Sequence, residues 1–180
     1  MPDLNSQLQT LATAAQEGDE GAFGQIFDLM SDPIFRFVAA RLNDREAARD
    51  IVSQVFLEAW KSLPRYNPKL PFRAWLYTIA KYRLIDHYRA HHSTVSLEAV
   101  TDRAGVTDLS AENETASEVD SMLMVLSTLP ELYQTVIRLK YLSELDYSEI
   151  AKITGKSENS LRVIVKRGLD KLREQLATSI

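Results

Sequence analysis

Hydrophobic side chains recur at helical spacing along most of this chain. Toward the C-terminus they follow at steps of four, four, three and four residues, at Leu161, Val165, Leu169, Leu172 and Leu176. Near the N-terminus a similar spacing relates Phe23, Ile26, Phe27, Met30, Ile34, Phe35, Phe37 and Val38. Such spacing places one apolar stripe on each helix. Because Gly and Pro number only six each and alternating β-branched runs are few, the sequence predicts an all-α fold.

The N-terminal apolar pattern is interrupted at residues 31–33, which read Ser-Asp-Pro. A capping residue followed by proline is typical of a helix start, so the pattern predicts that one helix ends here and another begins. A further helix is expected from Asn43 or Asp44 to about Ser62, since either residue is a favourable N-cap.

A proline-rich segment follows, with three prolines in the eight residues from Pro64 to Pro71. Proline lacks the N–H that regular structure needs, so this segment is predicted to be a loop. Another long helix is expected from about Phe72 to Ala90. Together these helices form a first compact region that begins near Leu8.

The C-terminal fifty residues have the pattern of a helix-turn-helix. Asp146 and Glu149 form a capping box at one helix start, Gly155 permits a tight turn, and Ser157 caps the next helix. The outer face of that second helix is polar and basic, at Asn159, Arg162, Lys166 and Arg173. This arrangement fits a DNA major groove. The alternative interpretation is an ordinary helical hairpin with a solvated charged face.

Between the two helical regions lies an acidic stretch rich in Ser and Thr, with no sustained hydrophobic period. Such a composition favours a flexible linker over residues 93–117. The predicted organisation is therefore two small helical domains, an N-terminal helical bundle over residues 1–92 and a helix-turn-helix domain over residues 118–180.

Composition excludes several classes of protein. The chain has no Cys, which rules out disulfides and thiolate metal sites. No apolar run approaches the ~20 residues that cross a bilayer, and the N-terminal residues do not have the pattern of a signal peptide. We therefore expect a cytoplasmic protein without membrane insertion.

The net charge of −4 is unevenly distributed. Residues 60–92 carry 7 basic side chains against Asp86 alone, whereas residues 1–59 carry 4 basic and 10 acidic side chains. Residues 93–129 have one basic side chain against seven acidic ones, and residues 130–180 have 9 against 7. Since phosphate neutralisation supplies most non-specific affinity, the isolated chain should hold DNA weakly. A partner with its own positive field would bring it to DNA.

The basic segment from Trp60 to His92 interleaves cationic and aromatic side chains. Aromatic rings stack on unpaired bases while cations neutralise the flanking phosphates, so this pattern suits an opened strand better than an intact duplex. Four of its residues fall on one helix side and are predicted to be core, namely Phe72, Trp75, Leu76 and Ile79. The residues predicted to contact nucleic acid are Arg65, Tyr66, Asn67, Lys69, Lys81, His87 and Arg89.

Three segments together carry a resemblance to a known family. They read AARDIVSQVFLEAW, FRAWLYTIAKYRLIDHYR and LPELYQTVIRLKYLSELDYSEIAKITGKSENSLRVIVKRGLDKLRE. In order and spacing the chain resembles the bacterial extracytoplasmic-function (ECF) sigma factors from about Gly18 to Leu176. A helix-turn-helix alone would be shared by many regulators, but the three segments together are specific.

The resemblance implies three contact surfaces. Docking on the largest subunit of core RNA polymerase is implied for Asp50, Gln54, Phe56, Leu57 and Trp60. Capture of the melted −10 promoter element is implied for Arg65, Tyr66, Asn67, Lys69, Arg73, Lys81, Tyr82, His87 and Arg89. Reading of the −35 element is implied for Ser157, Glu158, Asn159, Ser160, Arg162, Lys166, Arg167 and Lys171. The resemblance also implies an anti-sigma partner, and no cofactor. Ser53 and Gln54 depart from the Gln-Glu usual in this family.

Two other classes of function are compatible with parts of the sequence. An enzyme with a metal site would use His87 and His91, which are four residues apart on a helix, but no neighbouring Glu completes a metalloprotease pattern. We therefore predict neither catalysis nor metal binding. A stand-alone helix-turn-helix regulator with an N-terminal sensing or dimerisation domain is the second alternative. It would bind duplex DNA without polymerase.

Overall fold

A computed structural model describes residues 3–42, 44–92 and 124–178. Within these ranges the chain is helical and contains no β-strand, which confirms the predicted all-α fold. The predicted linker, residues 93–117, lies outside the described residues. The described helices form two compact units.

The first unit contains four α-helices: α1 (Leu4–Gln16), α2 (Glu20–Ala39), α3 (Arg45–Ser62) and α4 (Phe72–His92). Their apolar faces share one core, in which the fully buried side chains include Leu8, Ile26, Met30, Ile34, Phe37, Ile51, Leu76, Tyr77 and Leu84. Phe37 and Tyr77 meet edge to face, with ring centroids 5.3 Å apart. Between α3 and α4, a 3-10 turn over Leu63–Arg65 leads into the predicted proline-rich loop.

One prediction for this unit is wrong. Helix α2 does not restart at residues 31–33 but continues through Pro33 to Ala39. Proline inside a helix costs about 3 kcal/mol because it removes one backbone hydrogen bond and crowds the preceding turn. Met30 and Ile34 flank that position and are completely buried. Burying several such side chains at roughly 1.5–3 kcal/mol each offsets the cost, so the helix remains continuous.

The second unit contains α5 (Glu131–Tyr141), α6 (Tyr147–Thr154) and α7 (Glu158–Thr178), preceded by a helical turn at residues 124–127. The predicted capping box is confirmed, since the Glu149 carboxylate accepts a hydrogen bond from the Asp146 N–H at 2.9 Å. Gly155 ends α6 with φ +70°, a left-handed conformation that favours glycine. The pair α6 and α7 therefore forms the predicted helix-turn-helix.

Helix α7 packs closely against α5 at Gly168. A Cβ atom at this position would lie 2.6 Å from Ile137 Cδ1 and 3.3 Å from Tyr133 Cδ1. Glycine in a helix interior costs about 1 kcal/mol relative to alanine. The close approach of the two helices explains why glycine occupies the middle of α7.

Candidate functional surfaces

An exposed apolar surface lies on α2 and α3. Phe27, Leu57 and Trp60, with 44%, 54% and 38% of their surfaces exposed, form what we term the apolar patch. Phe56 is buried beneath it, with its ring centroid 4.8 Å from that of Phe27. The ring centroids of Phe23 and Trp60 are also 4.8 Å apart. Large apolar side chains that remain exposed together mark a surface suited to binding another protein.

Among the predicted docking residues, Leu57 and Trp60 belong to the apolar patch, whereas Phe56 supports it from below. Gln54 and Asp50 are exposed on α3, about one and two turns before Leu57. Sequence analysis assigned Phe27 to the helical stripe of α2 and missed its place in the patch. Its neighbour Ile26 is completely buried. Because adjacent residues on a helix point in different directions, Ile26 and Phe27 cannot both face the core, and this rule could have identified Phe27 as exposed.

The loop between α3 and α4, residues 63–71, is termed here the proline loop. Three of its predicted DNA-contacting residues, Arg65, Asn67 and Lys69, are exposed. The Asn67 side-chain oxygen accepts a hydrogen bond from the Lys69 N–H at 3.0 Å, which forms a local turn. The loop therefore presents two cations and an amide to solvent.

Tyr66 does not belong to this exposed set. Only 4% of its surface is accessible, and its ring packs against those of Phe72 and Trp75, at centroid distances of 5.3 Å and 4.9 Å. Burial raises the pKa of the Tyr66 hydroxyl above its ordinary value of 10.0. Neither ring face is open to a base, so the structure contradicts the predicted stacking contact and makes Tyr66 an anchor of the loop.

Helix α4 carries the remaining residues predicted to contact the −10 element. Tyr82 is 57% exposed, and Lys81 lies with its ammonium group 5.0 Å from the centre of the Tyr82 ring. Arg89 is exposed and His87 is half-buried. Arg73 is also half-buried, in the first turn of the helix. Lys81 is itself half-buried, so the outer face of α4 pairs the exposed Tyr82 ring with one partly buried cation.

The core residues predicted for α4 divide into two pairs. Phe72 and Leu76 are buried, which confirms the prediction. Trp75 and Ile79 are half-buried, so they lie at the border of the core. An ion pair between Glu58 and Arg83, at 2.9 Å, links α3 to α4 beside this border.

Helix α7 exposes a polar face at its N-terminal end. The Ser157 hydroxyl accepts a hydrogen bond from the Ser160 N–H at 3.3 Å, as an N-cap does. Of the residues predicted to contact the −35 element, only Glu158 is half-buried. The others are exposed, namely Ser157, Asn159, Ser160, Arg162, Lys166, Arg167 and Lys171. We term this surface the reading face.

Arg162 occupies the centre of the reading face and is held by three neighbours. Its guanidinium group donates to Glu158 Oε2 at 3.0 Å and to Asn159 Oδ1 at 3.3 Å. It also lies 4.9 Å from the centre of the Tyr147 ring, at the start of α6. Sequence analysis missed Tyr147, because nothing in its spacing relates it to Arg162. These contacts hold the Arg162 guanidinium in one position on the exposed face of α7.

Among the described residues, no three His, Asp or Glu side chains are grouped to hold a metal ion. The side chain of His91, one of the two considered as ligands, lies outside the description. Of the helices described, none combines the length and apolar character needed to cross a membrane.

The two units correspond to two sigma-factor regions. Residues 26–94 match the family model for sigma-70 region 2, and residues 120–172 match that for sigma-70 region 4. The ECF RNA polymerase sigma factor SigW of Bacillus subtilis is 30% identical over 172 residues, covering 89% of this chain and 92% of SigW. BldN of Streptomyces coelicolor, another ECF sigma factor, is 29% identical over 182 residues, covering 96% of this chain and 67% of BldN. The chain belongs to the ECF sigma factors of RNA polymerase.

Solved structures show the same fold. CnrH, in its complex with the cytosolic domain of CnrY, aligns with a TM-score of 0.75 and 23% identity, covering 97% of this chain and 99% of CnrH. The sigma factor RpoE from Bartonella quintana, bound to the anti-sigma factor NepR, aligns with a TM-score of 0.67 and 20% identity, covering 86% and 96% of the two chains. Family membership favours the sigma-factor interpretation over a stand-alone regulator.

Proposed function

We propose that this chain directs core RNA polymerase to specific promoters by using three separate surfaces, and that it acts as a specificity subunit without catalysing a reaction. One observation carries the proposal: the region 2 unit exposes an apolar patch while the region 4 unit exposes a cationic reading face. A protein partner suits the first surface and a nucleic acid suits the second. The place of action would be the cytoplasm.

The apolar patch is the proposed docking site for the largest subunit of the polymerase. Leu57 and Trp60 would insert their exposed side chains into the partner, and Phe27 would extend the contact. Asp50 and Gln54 would contribute polar contacts at the edge. Buried aromatic and aliphatic side chains dominate the energy of most protein interfaces, whereas the polar rim contributes less.

The proline loop and the outer face of α4 are the proposed site for the melted −10 element. Arg65, Asn67 and Lys69 would hold the backbone and an extruded base, and Tyr82 would offer its exposed ring for stacking. Along α4 further contacts are proposed for Arg73, Lys81, His87 and Arg89. Extruding a base costs a few kcal/mol, which stacking and phosphate contacts would recover.

The reading face is the proposed contact with the −35 element. Asn159, Ser160 and Arg162 would reach base edges in the major groove, because they lie in the first turns of the helix. Ser157 and Glu158 lie at the N-terminus of α7, which would face a DNA phosphate. Lys166, Arg167 and Lys171 would contact phosphates, which positions the helix without reading sequence.

Regulation by an anti-sigma protein is part of the proposal. Both similar structures contain a second protein, which is the cytosolic domain of CnrY in one and the anti-sigma factor NepR in the other. A partner of this class would cover the apolar patch or the DNA-binding surfaces and so keep the chain from polymerase. A membrane-anchored partner would hold it at the inner membrane face.

Run-off transcription with core polymerase on a promoter library tests the proposal. We expect transcripts only when the chain is added, from promoters that share two short elements. A gel shift at moderate salt complements it, since the chain alone should bind promoter duplex weakly and the holoenzyme tightly. Tight duplex binding without polymerase would instead support the stand-alone regulator.

A further inference from the structure

The proline loop cannot fix its own conformation through regular backbone hydrogen bonds. Pro64, Pro68 and Pro71 have no N–H to donate. Within the loop, Tyr66 donates its N–H to the Leu63 carbonyl at 3.0 Å, and Leu70 donates to the Asn67 carbonyl at 2.9 Å. These two turns shape short segments, but they do not hold the loop against the rest of the unit.

Two glutamines of α1 supply donors to the loop. Gln16 donates from its side-chain nitrogen to the carbonyl oxygens of both Leu63 and Tyr66, each at 2.8 Å. Gln9 donates from its side-chain nitrogen to the carbonyl oxygen of Pro68, also at 2.8 Å. The two glutamines are seven residues apart and therefore share one face of α1, two turns from each other.

Gln9 also contacts the anchor of the loop. Its side-chain oxygen accepts a hydrogen bond from the Tyr66 hydroxyl at 2.9 Å, and the same hydroxyl lies against the Leu70 carbonyl. Both ends of the Gln9 amide are therefore engaged, one by backbone and one by the buried tyrosine. Three loop carbonyls and one loop side chain therefore hydrogen-bond to these two glutamines.

We propose that Gln9 and Gln16 are positioning residues for the −10 element, which hold the proline loop in the conformation that receives the melted strand. This inference rests on the proposed role of the loop. The two glutamines lie on α1, ahead of the segment that matches sigma-70 region 2, residues 26–94. The N-terminal helix thereby becomes part of promoter recognition without touching DNA.

The physical reason is preorganisation. Fixing the backbone of one residue costs roughly 1–2 kcal/mol of conformational entropy. A loop already held by α1 meets that cost during folding, so the binding of DNA does not have to meet it again. Arg65 and Lys69 then remain presented to solvent in one arrangement.

Near-isosteric substitutions test the proposal in reconstituted holoenzyme. Gln16→Glu replaces a donor with a carboxylate that faces two carbonyl oxygens, and Gln9→Glu removes the donor to Pro68 while keeping an acceptor for Tyr66. We expect Gln16→Glu to shorten the lifetime of the open complex by about tenfold. It should also flatten the base preference at the −10 element, with a smaller effect from Gln9→Glu. Gln7→Glu is the matched control, because Gln7 is exposed on the same helix and makes none of these contacts.

Three further measurements make the outcome decisive. Affinity for core polymerase and base preference at the −35 element should stay unchanged in every variant, which a general folding defect would not allow. If Gln16→Glu lowers the melting temperature strongly, open-complex lifetime and −10 preference are measured in Gln16→Ala and Gln9→Ala instead. Alanine removes the donor without adding charge. Open-complex lifetime and −10 preference that remain within about twofold of wild type would overturn the inference.

A direct loop variant separates this inference from the proposed function. Arg65→Ala combined with Lys69→Ala removes the cations that the loop presents. If this variant loses the −10 complex and the glutamine variants do not, only the role of α1 is wrong. If the loop variant itself behaves as wild type, the proposed −10 site is wrong.

Discussion

The proline loop and the reading face are both exposed and polar, but different kinds of contact hold them in place. On the reading face, Arg162 hydrogen-bonds to Glu158 and Asn159, four and three residues away, and also lies over the Tyr147 ring of the adjoining helix α6. In the loop, the donors Gln9 and Gln16 lie 47 to 59 residues from the carbonyls they reach. A helix brings its neighbouring turns together in any fold, whereas the loop depends on how α1 packs.

The apolar patch adds a second contrast, which concerns chemistry. Phe27, Leu57 and Trp60 expose carbon surface, so binding there should depend little on salt. The reading face exposes cations, so its binding to DNA should weaken as salt rises. One chain therefore offers a salt-insensitive surface for a protein and a salt-sensitive surface for a nucleic acid.

The largest expected effect comes from the apolar patch. Replacing Leu57 and Trp60 together by alanine should weaken binding to core polymerase by at least about 100-fold, since burying each side chain contributes about 1.5–3 kcal/mol. Titration of labelled chain with core polymerase measures this affinity. Leu4→Ala, an exposed leucine on α1, is the control. An unchanged affinity in the double variant would remove the patch from the docking site.

The next largest effect is on the stability of the second unit. Gly168→Val should lower its free energy of unfolding by about 2 kcal/mol, because the added side chain overlaps Ile137 and Tyr133. Hydrogen exchange of α5 and α7 amides measures this unit separately. Gly24→Ala is the matched control, since a Cβ there meets nothing within 4 Å. It should stabilise the first unit by about 1 kcal/mol.

Equal protection of α5 and α7 in Gly168→Val and wild-type chains would show that the helices can separate without cost. The close approach would then not explain the glycine.

Substitution of Arg162 should have a smaller effect that is confined to promoter choice. Arg162→Ala should reduce transcription from the cognate promoter by about tenfold, because a base contact discriminates by ~1–3 kcal/mol. Run-off transcription measures the loss, and a pull-down with core polymerase should be unchanged. Arg36→Ala is the control, because Arg36 is an exposed arginine on α2 outside the predicted DNA contacts. A parallel loss of polymerase binding would refute the base-reading role.

The smallest effect is expected for Lys166. Lys166→Ala should weaken holoenzyme binding to every promoter alike, and should reduce the slope of log affinity against log salt by about 0.9, because one phosphate contact is lost. Binding measured over a series of salt concentrations provides the slope. The patch variants should leave this slope unchanged. A change in base preference would instead assign Lys166 to sequence reading.

Local sequence patterns determined the second unit well. The capping box of Asp146 and Glu149, the left-handed Gly155 and the N-cap Ser157 each act within a few residues, and each prediction is confirmed. Helical spacing also predicted the exposure of Asn159, Arg162 and Lys166, since exposure on a helix repeats with each turn. These features depend on short-range chemistry, which a sequence displays directly.

Tertiary packing decided the features that local patterns misjudged. Pro33 has the sequence of a helix start, yet the buried side chains on either side keep α2 continuous. Tyr66 lies in a segment of alternating aromatic and cationic residues, which is typical of base stacking, yet its ring packs against those of Phe72 and Trp75. Local propensity is worth at most a few kcal/mol, so burial of several large side chains overrides it.

The sequence alone determined that the chain is helical, that its charges form separate basic surfaces, and that it resembles the ECF sigma factors. Only the tertiary structure decided that Phe27 joins the apolar patch, that Gly168 allows α7 to approach α5, and that Gln9 and Gln16 reach the proline loop. The physical reason is separation along the chain. A contact between residues tens of positions apart is created by the packing of whole helices, and no spacing rule within one segment records it.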